Sequence, residues 1–158
     1  ARAAMVERAA AYRLGDAGAP QVGLVDWAAK LGPYLEGLFA LTEAAVAHRG
    51  ADRATAAALS RRARDAFCRC GLGPHQLLAE ALIASAAGAS EIAVAALAER
   101  ADACPAPEIA MQVYGLLARA IPRHAPVWRA IARGLPTTRA GGERLIPLDV
   151  LSIAECTE

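Results

Sequence analysis

The residue types able to do chemistry in this 158-residue chain are few and widely spaced. Arg119 and His124 stand in the R-x4-H spacing by which some helical ribonucleases aim a guanidinium and an imidazole at a reacting phosphate. Pro122 lies between them, and a proline removes a helical hydrogen bond and clashes with the preceding turn, so the pair is not expected on one helix face. His48, His75 and His124 fall at three separate helix boundaries, with no Ser, Cys or Asp in an evident triad arrangement. A zinc site can be drawn from Cys68, Cys70, His75 and Cys104, but C-x-C-x4-H is not a standard ligand spacing. The same thiols, with Cys156, also lack the spacing of a secreted disulfide framework, so they are expected as reduced core residues, with no metal and no cofactor. Gly71-Leu72-Gly73 fits a helix stop better than a phosphate cradle. Arg61, Arg62, Arg64 and Arg69 could touch phosphates, yet the chain's net charge is only +1 and no aromatics are interleaved for base stacking. A solvated helix face, no nucleic-acid partner and no enzymatic activity are the expectations. The pattern predicts a protein that binds rather than reacts.

The elements that position these residues are helices throughout. Met5, Ala9 and Tyr12 mark a first amphipathic helix that stops at Gly15, and a short second helix spans about 22–31. Pro33 opens a third, carrying Leu35, Leu38, Phe39, Thr42, Ala45 and Val46 at helical spacing and ending near Arg49-Gly50. Asp52 can cap a fourth, from Arg53 to about Cys70, with Ala56, Leu59, Ala63, Ala66, Phe67 and Cys70 as its apolar stripe. Pro74 opens a fifth with Leu77, Leu78, Ala81, Leu82 and Ser85. Gly88-Ala89-Ser90 turns into a sixth, with Ile92, Ala96 and Leu97 expected to be buried. A seventh runs from Glu108 to about Ile121 and an eighth from about Ala125 to Arg133. The spacing therefore predicts an all-α fold, a single irregular bundle of about six to eight helices over residues 1–136. Residues 137–158 read as a loop-like, extended C-terminal tail packed on the bundle. The hairpins at 74–103 and 107–134 have similar lengths but share no residue pattern, which leaves a helical-repeat-like adaptor as the alternative architecture.

Composition agrees. Hydrophobic residues make up 56% and charged ones 21%, which is on the globular side of the disorder boundary, and with aromatics at 4% Ala and Leu must fill the interior. Arg, Glu or Asp interrupts every apolar stripe before it reaches the roughly 20 residues that span a bilayer, so no membrane insertion is expected. Ala1-Arg2-Ala3-Ala4-Met5 lacks the apolar region of a signal peptide, and with unpaired thiols this predicts a cytoplasmic location.

Three fragments, in order, resemble the TorD/DmsD/NarJ family of maturation chaperones for molybdenum redox enzymes. Arg8-Ala9-Ala10-Ala11-Tyr12-Arg13-Leu14 is similar to that family's opening helix. Ala66-Phe67 through Gly71-Leu72, followed by Pro74-His75-Gln76-Leu77-Leu78-Ala79-Glu80, resembles its helix end and P-D-H-L-x-x-E segment, with His75 and Gln76 standing where the family has Asp-His. Ala120-Ile121-Pro122-Arg123-His124 is similar to its W-[VL]-P-x-F segment, with Ala120 in place of the Trp. The resemblance implies a cytoplasmic chaperone that holds the apo catalytic subunit of a molybdoenzyme, or its twin-arginine leader, in an apolar groove until the cofactor is inserted. It implies that Pro74, His75, Gln76, Leu77 and Glu80 form one wall of that groove, with His75 and Gln76 exposed on a loop, and that Ile121, Pro122 and His124 form the other.

Overall fold

The computed structural model describes residues 18–134 and, ahead of them, residues 3, 7, 8, 10 and 11. The described residues are helical, with no strand among them: α1 (Val22–Ala29), α2 (Pro33–Arg49), α3 (Arg53–Arg69), α4 (Gly73–Ala87), α5 (Glu91–Asp102), α6 (Pro107–Ala120) and α7 (Ala125–Gly134), with a 3-10 turn over Pro122–His124. Glu7, Arg8, Ala10 and Ala11 are also helical and fall within the first helix expected from the sequence. The tail over 137–158 lies outside the described residues.

Local signals set the boundaries. The Asp52 side chain accepts the Thr55 N–H at 3.1 Å and the Ser90 hydroxyl accepts the Ala93 N–H at 3.3 Å, each satisfying an otherwise orphaned donor of the first turn. Pro33, Pro74 and Pro107 stand at the starts of α2, α4 and α6, where a missing N–H costs nothing. At the end of α3, Gly71 takes a left-handed φ of +69°, the Leu72 N–H reaches the Phe67 carbonyl at 3.0 Å and the Gly71 N–H reaches that of Cys68 at 3.1 Å. The end of α2 repeats this Schellman pattern in the same register, but its glycine stands one residue too early to serve it. Gly50 has φ −73°, and Ala51 carries the left-handed φ of +60° while Asp52 N–H bonds the Ala47 carbonyl at 2.9 Å. An alanine there holds its Cβ against the following carbonyl. Ala51→Gly is therefore expected to stabilise the protein by about 1 kcal/mol, raising the melting temperature by roughly 2–4 °C in a thermal denaturation scan.

α2 is the centre of the bundle. Every residue from Gly37 to Ala47 is buried, so this helix packs on all sides rather than along one stripe. α1 covers one flank, α3 packs along α2, α4 along α3, and α6 along α4, with α7 on the outer side of α6. The core these contacts enclose contains Leu38, Phe39, Phe67, Leu78, Leu82, Tyr114 and Leu117. α5 is a return helix. The Glu80–Arg100 ion pair sets it antiparallel to α4, and α6 runs antiparallel to α5, its middle held at the end of α5 by the Tyr114 hydroxyl, which donates to Asp102 at 2.5 Å with the Ala98 carbonyl 3.2 Å away, and the turn after it held at the start of α5 by the Arg123–Glu91 pair. Hence α4 and α6 run parallel. Burial, then the neighbouring Asp102 carboxylate, hold the Tyr114 phenol well above its ordinary pKa.

Two expectations about burial are corrected. Ile92 is 84% exposed and Ala96 is exposed, while the buried stripe of α5 is Val94, Leu97 and Ala101. In an Ala-rich helix more than one apolar stripe fits the same period, and the hairpin turn decides which faces the core. Cys68 is exposed, on the same face of α3 as the exposed Arg61 and Asp65, and Cys70 is half-buried at the C-terminal cap.

Candidate functional site

The segment Pro74–Leu77 is the first turn of α4, not a loop. His75 is buried, at 7% exposed, so it is not the exposed loop residue the sequence predicts. Its ring lies tilted against Phe67 with centroids 5.1 Å apart, and both ring nitrogens are without a hydrogen-bond partner. Phe67 in turn fills the space beside Gly37, where an added Cβ would meet the Phe67 ring at 2.6 Å. A Gly37–Phe67–His75 stack thus ties α2, α3 and α4 together. Leu77 is 3% exposed and belongs to the core, whereas Pro74 and Gln76 are half-buried.

Burial in an apolar site disfavours the imidazolium and holds the His75 pKa below its ordinary 6.5. The unfolded chain takes up this proton as pH falls below 6.5, and the folded chain resists it. Stability is therefore fully present above pH 6.5 and is lost as pH falls from there towards the folded-state pKa, by at most about 1.4 kcal/mol per pH unit for one proton. His75→Leu removes the two unpartnered nitrogens. Urea titrations at pH 5 and pH 7.5 are expected to show a smaller acid loss for the variant than for the wild type, and an equal loss would remove His75 as its source.

The second predicted segment lies elsewhere. Ile121 is half-buried at the C-terminal cap of α6, packed on the core, and Pro122 and His124 are exposed on the 3-10 turn, the His124 ring 5.4 Å from that of Trp128. Arg123 pairs with Glu91, the first residue of α5, directly after the turn that ends α4. His75 stands in the first turn of α4 and Arg123 beside its last, about 18 Å of helix rise apart. The structure does not bring the two segments together. The R-x4-H pair is likewise interrupted: α6 ends at Ala120, and Ile121 leaves helical geometry at φ −131°, ψ 88°.

Glu80 is the predicted residue that does border a concave surface. An open cleft of about 380 Å³ runs between α4 and α5. Ile83, Ala84, Ala93, Ala96 and Leu97 give it apolar walls, and the three alanines among them let another segment approach closely. At one end Glu80 receives the Gln76 Nε2–H on Oε1 at 3.0 Å and the Arg100 guanidinium on Oε2. So Gln76, one turn earlier, positions the carboxylate. Arg100 and the α5 wall escape a reading confined to motifs. Their signal is the hairpin itself: an antiparallel fold about residue 90 brings positions 80 and 100 opposite one another.

The other chemistry-bearing groups are structural. Arg62 bonds Asp26 at 2.6 Å and Glu36 at 2.8 Å, Arg69 bonds Glu36 at 2.5 Å, and Arg64 bonds Asp65, so three of the four clustered arginines face acids. His48 Nε2 and Ser85 Oγ lie 2.9 Å apart and join the last turns of α2 and α4. Among the described residues no three His, Cys, Asp or Glu are grouped to hold a metal, and no helix is long and apolar enough to cross a membrane. No family model, curated protein or solved structure matches the chain.

Proposed function

We propose that this protein is a chaperone whose α4–α5 cleft holds an apolar segment of an unfolded or unassembled client, and that the client is the apo catalytic subunit of a molybdenum redox enzyme or its twin-arginine leader, bound in the cytoplasm before cofactor insertion. The single observation that supports this most is the cleft itself: an open, apolar groove with the Glu80–Arg100 ion pair at its end, suited to a peptide. The client site moves accordingly. Glu80 stays in it, with Gln76 holding its carboxylate, while His75 and Leu77 belong to the core and Ile121, Pro122 and His124 do not line it.

The rival reading is a repeat-like adaptor for another protein, favoured by α6 packing directly along α4 with α5 as the helix that connects them. One variant tests the cleft. Ala96 is exposed on its wall, so Ala96→Trp fills the groove without disturbing the core. Capture of a leader-bearing apo subunit from the same genome is expected to weaken tenfold or more with the melting temperature unchanged. Equal capture by the two proteins refutes the cleft as the client site, and failure of the wild type to bind any such subunit favours the adaptor.

A further inference from the structure

Among the described residues the most exposed large apolar side chain is Ile92, 84% in solvent, and it stands one helical turn before Ala96, the exposed alanine on the wall of the α4–α5 cleft. An isolated surface isoleucine is ordinary. Beside an open apolar groove of about 380 Å³ it makes one continuous surface that carries both a knob and a hole. A two-fold interface needs this arrangement, because the same patch serves both copies and must accept whatever it offers. Antiparallel pairing of two α5 helices about an axis beside Ala95 and Ala96, both exposed and small enough for close approach, meets the condition. It carries Ile92 of each copy to the Ala96–Arg100 end of the other's groove, with Ile83 across from it. The charges fit the same register. Glu99 is exposed and has no ion pair among the described residues, and the pairing sets it opposite Ile92 of the second copy, one position from Glu91 and so beside Arg123. Arg123 is 65% exposed and already holds Glu91, but a guanidinium can take two carboxylates at once, as Arg62 does with Asp26 and Glu36. Glu91 likewise stands opposite the second copy's Arg100.

We propose that the protein associates with a second copy of itself through the outer face of α5, each Ile92 seated in the other's α4–α5 cleft and each Glu99 on the other's Arg123. One face of a 12-residue helix is a small contact, so the dimer is weak and exchanges with monomer. Association is independent of what client the cleft serves; that the dimer shields the empty cleft and competes with the client rests on the cleft being the client site. Analytical ultracentrifugation of the full chain from about 10 μM to about 1 mM is expected to show the average mass rising from that of the monomer towards twice it. Ile92→Asp is expected to keep the chain monomeric throughout, because its carboxylate would be desolvated in an apolar groove next to Glu99. Glu99→Arg and Arg123→Glu are each expected to weaken association by about tenfold, and the double variant to recover it, since the exchanged charges attract again. A wild type that stays monomeric at the highest concentration overturns the proposal. A dimer that survives Ile92→Asp and both charge reversals unchanged also overturns it, by placing self-association elsewhere. A wild type that dimerises through this face, yet captures a leader-bearing apo subunit at high concentration as well as Glu99→Arg does, keeps the interface and overturns the cleft as client site.

Discussion

Replacing Glu43 with alanine is expected to lower the melting temperature by roughly 6–20 °C, because removing one partner of a buried ion pair costs about 3–5 kcal/mol and each kcal/mol moves a chain of this size by about 2–4 °C. Glu43 lies in the middle of α2 with no exposure, and its two oxygens receive the Arg8 Nε–H at 2.7 Å and the Arg8 Nη2–H at 2.8 Å. The second oxygen also accepts the Gln21 backbone N–H at 2.7 Å, and Arg8 donates further to the Ala19 carbonyl. One carboxylate thus fastens the N-terminal helical residues and the chain entering α1 to the central helix. Alanine would leave a buried guanidinium without its carboxylate, which costs more than the pair itself is worth, while the N–H of the exposed Gln21 can turn to water. Arg8→Met/Glu43→Leu, which removes both charges and keeps volume, is expected to recover much of the loss. A Glu43→Ala melting temperature within 2 °C of wild type would show that the pair does not hold the N-terminal segment.

Leu77→Asp is expected to abolish the cooperative unfolding transition at 37 °C. A leucine-sized void costs about 2–5 kcal/mol and an unpaired buried carboxylate adds several more, against a total stability of about 5–15 kcal/mol. Leu77 is 3% exposed and packed in the main core cluster beneath the α4–α5 hairpin. Ile121→Asp is expected to cost less, because that side chain is half-buried at a helix end and a carboxylate there can reach water. Ile92→Asp, at a position 84% exposed, is expected to be neutral in stability within about 0.5 kcal/mol. Thermal melts of the three variants check this order, and a folded Leu77→Asp protein would move Leu77 out of the core.

Helix boundaries were legible because they are local. Proline at a first turn, Asp52 and Ser90 as caps, and glycine after a last turn each act within four residues. Period alone also placed the stripe of α3 through Ala56, Leu59, Ala63 and Phe67. In α5 it did not, because small apolar residues occur on more than one face and only the partner helix chooses between them. The candidate site divides the same way. Glu80 was legible through a motif resemblance, but its cation Arg100 lies 20 residues away and meets it only when the hairpin closes.

What the sequence determined by itself is the class of fold and, to within a residue or two, where the helices start and stop, since periodicity, capping and breakers are short-range. What only the tertiary structure decided is which residues share a surface. It turned His75 from the exposed loop into the core against Phe67, buried Glu43 with Arg8 across 35 positions of chain, and set His75 and Arg123 at opposite ends of one helix. Those outcomes follow from how helices cross and return, and the packing of a crossing is a property of two faces together, one of which is always distant in the chain.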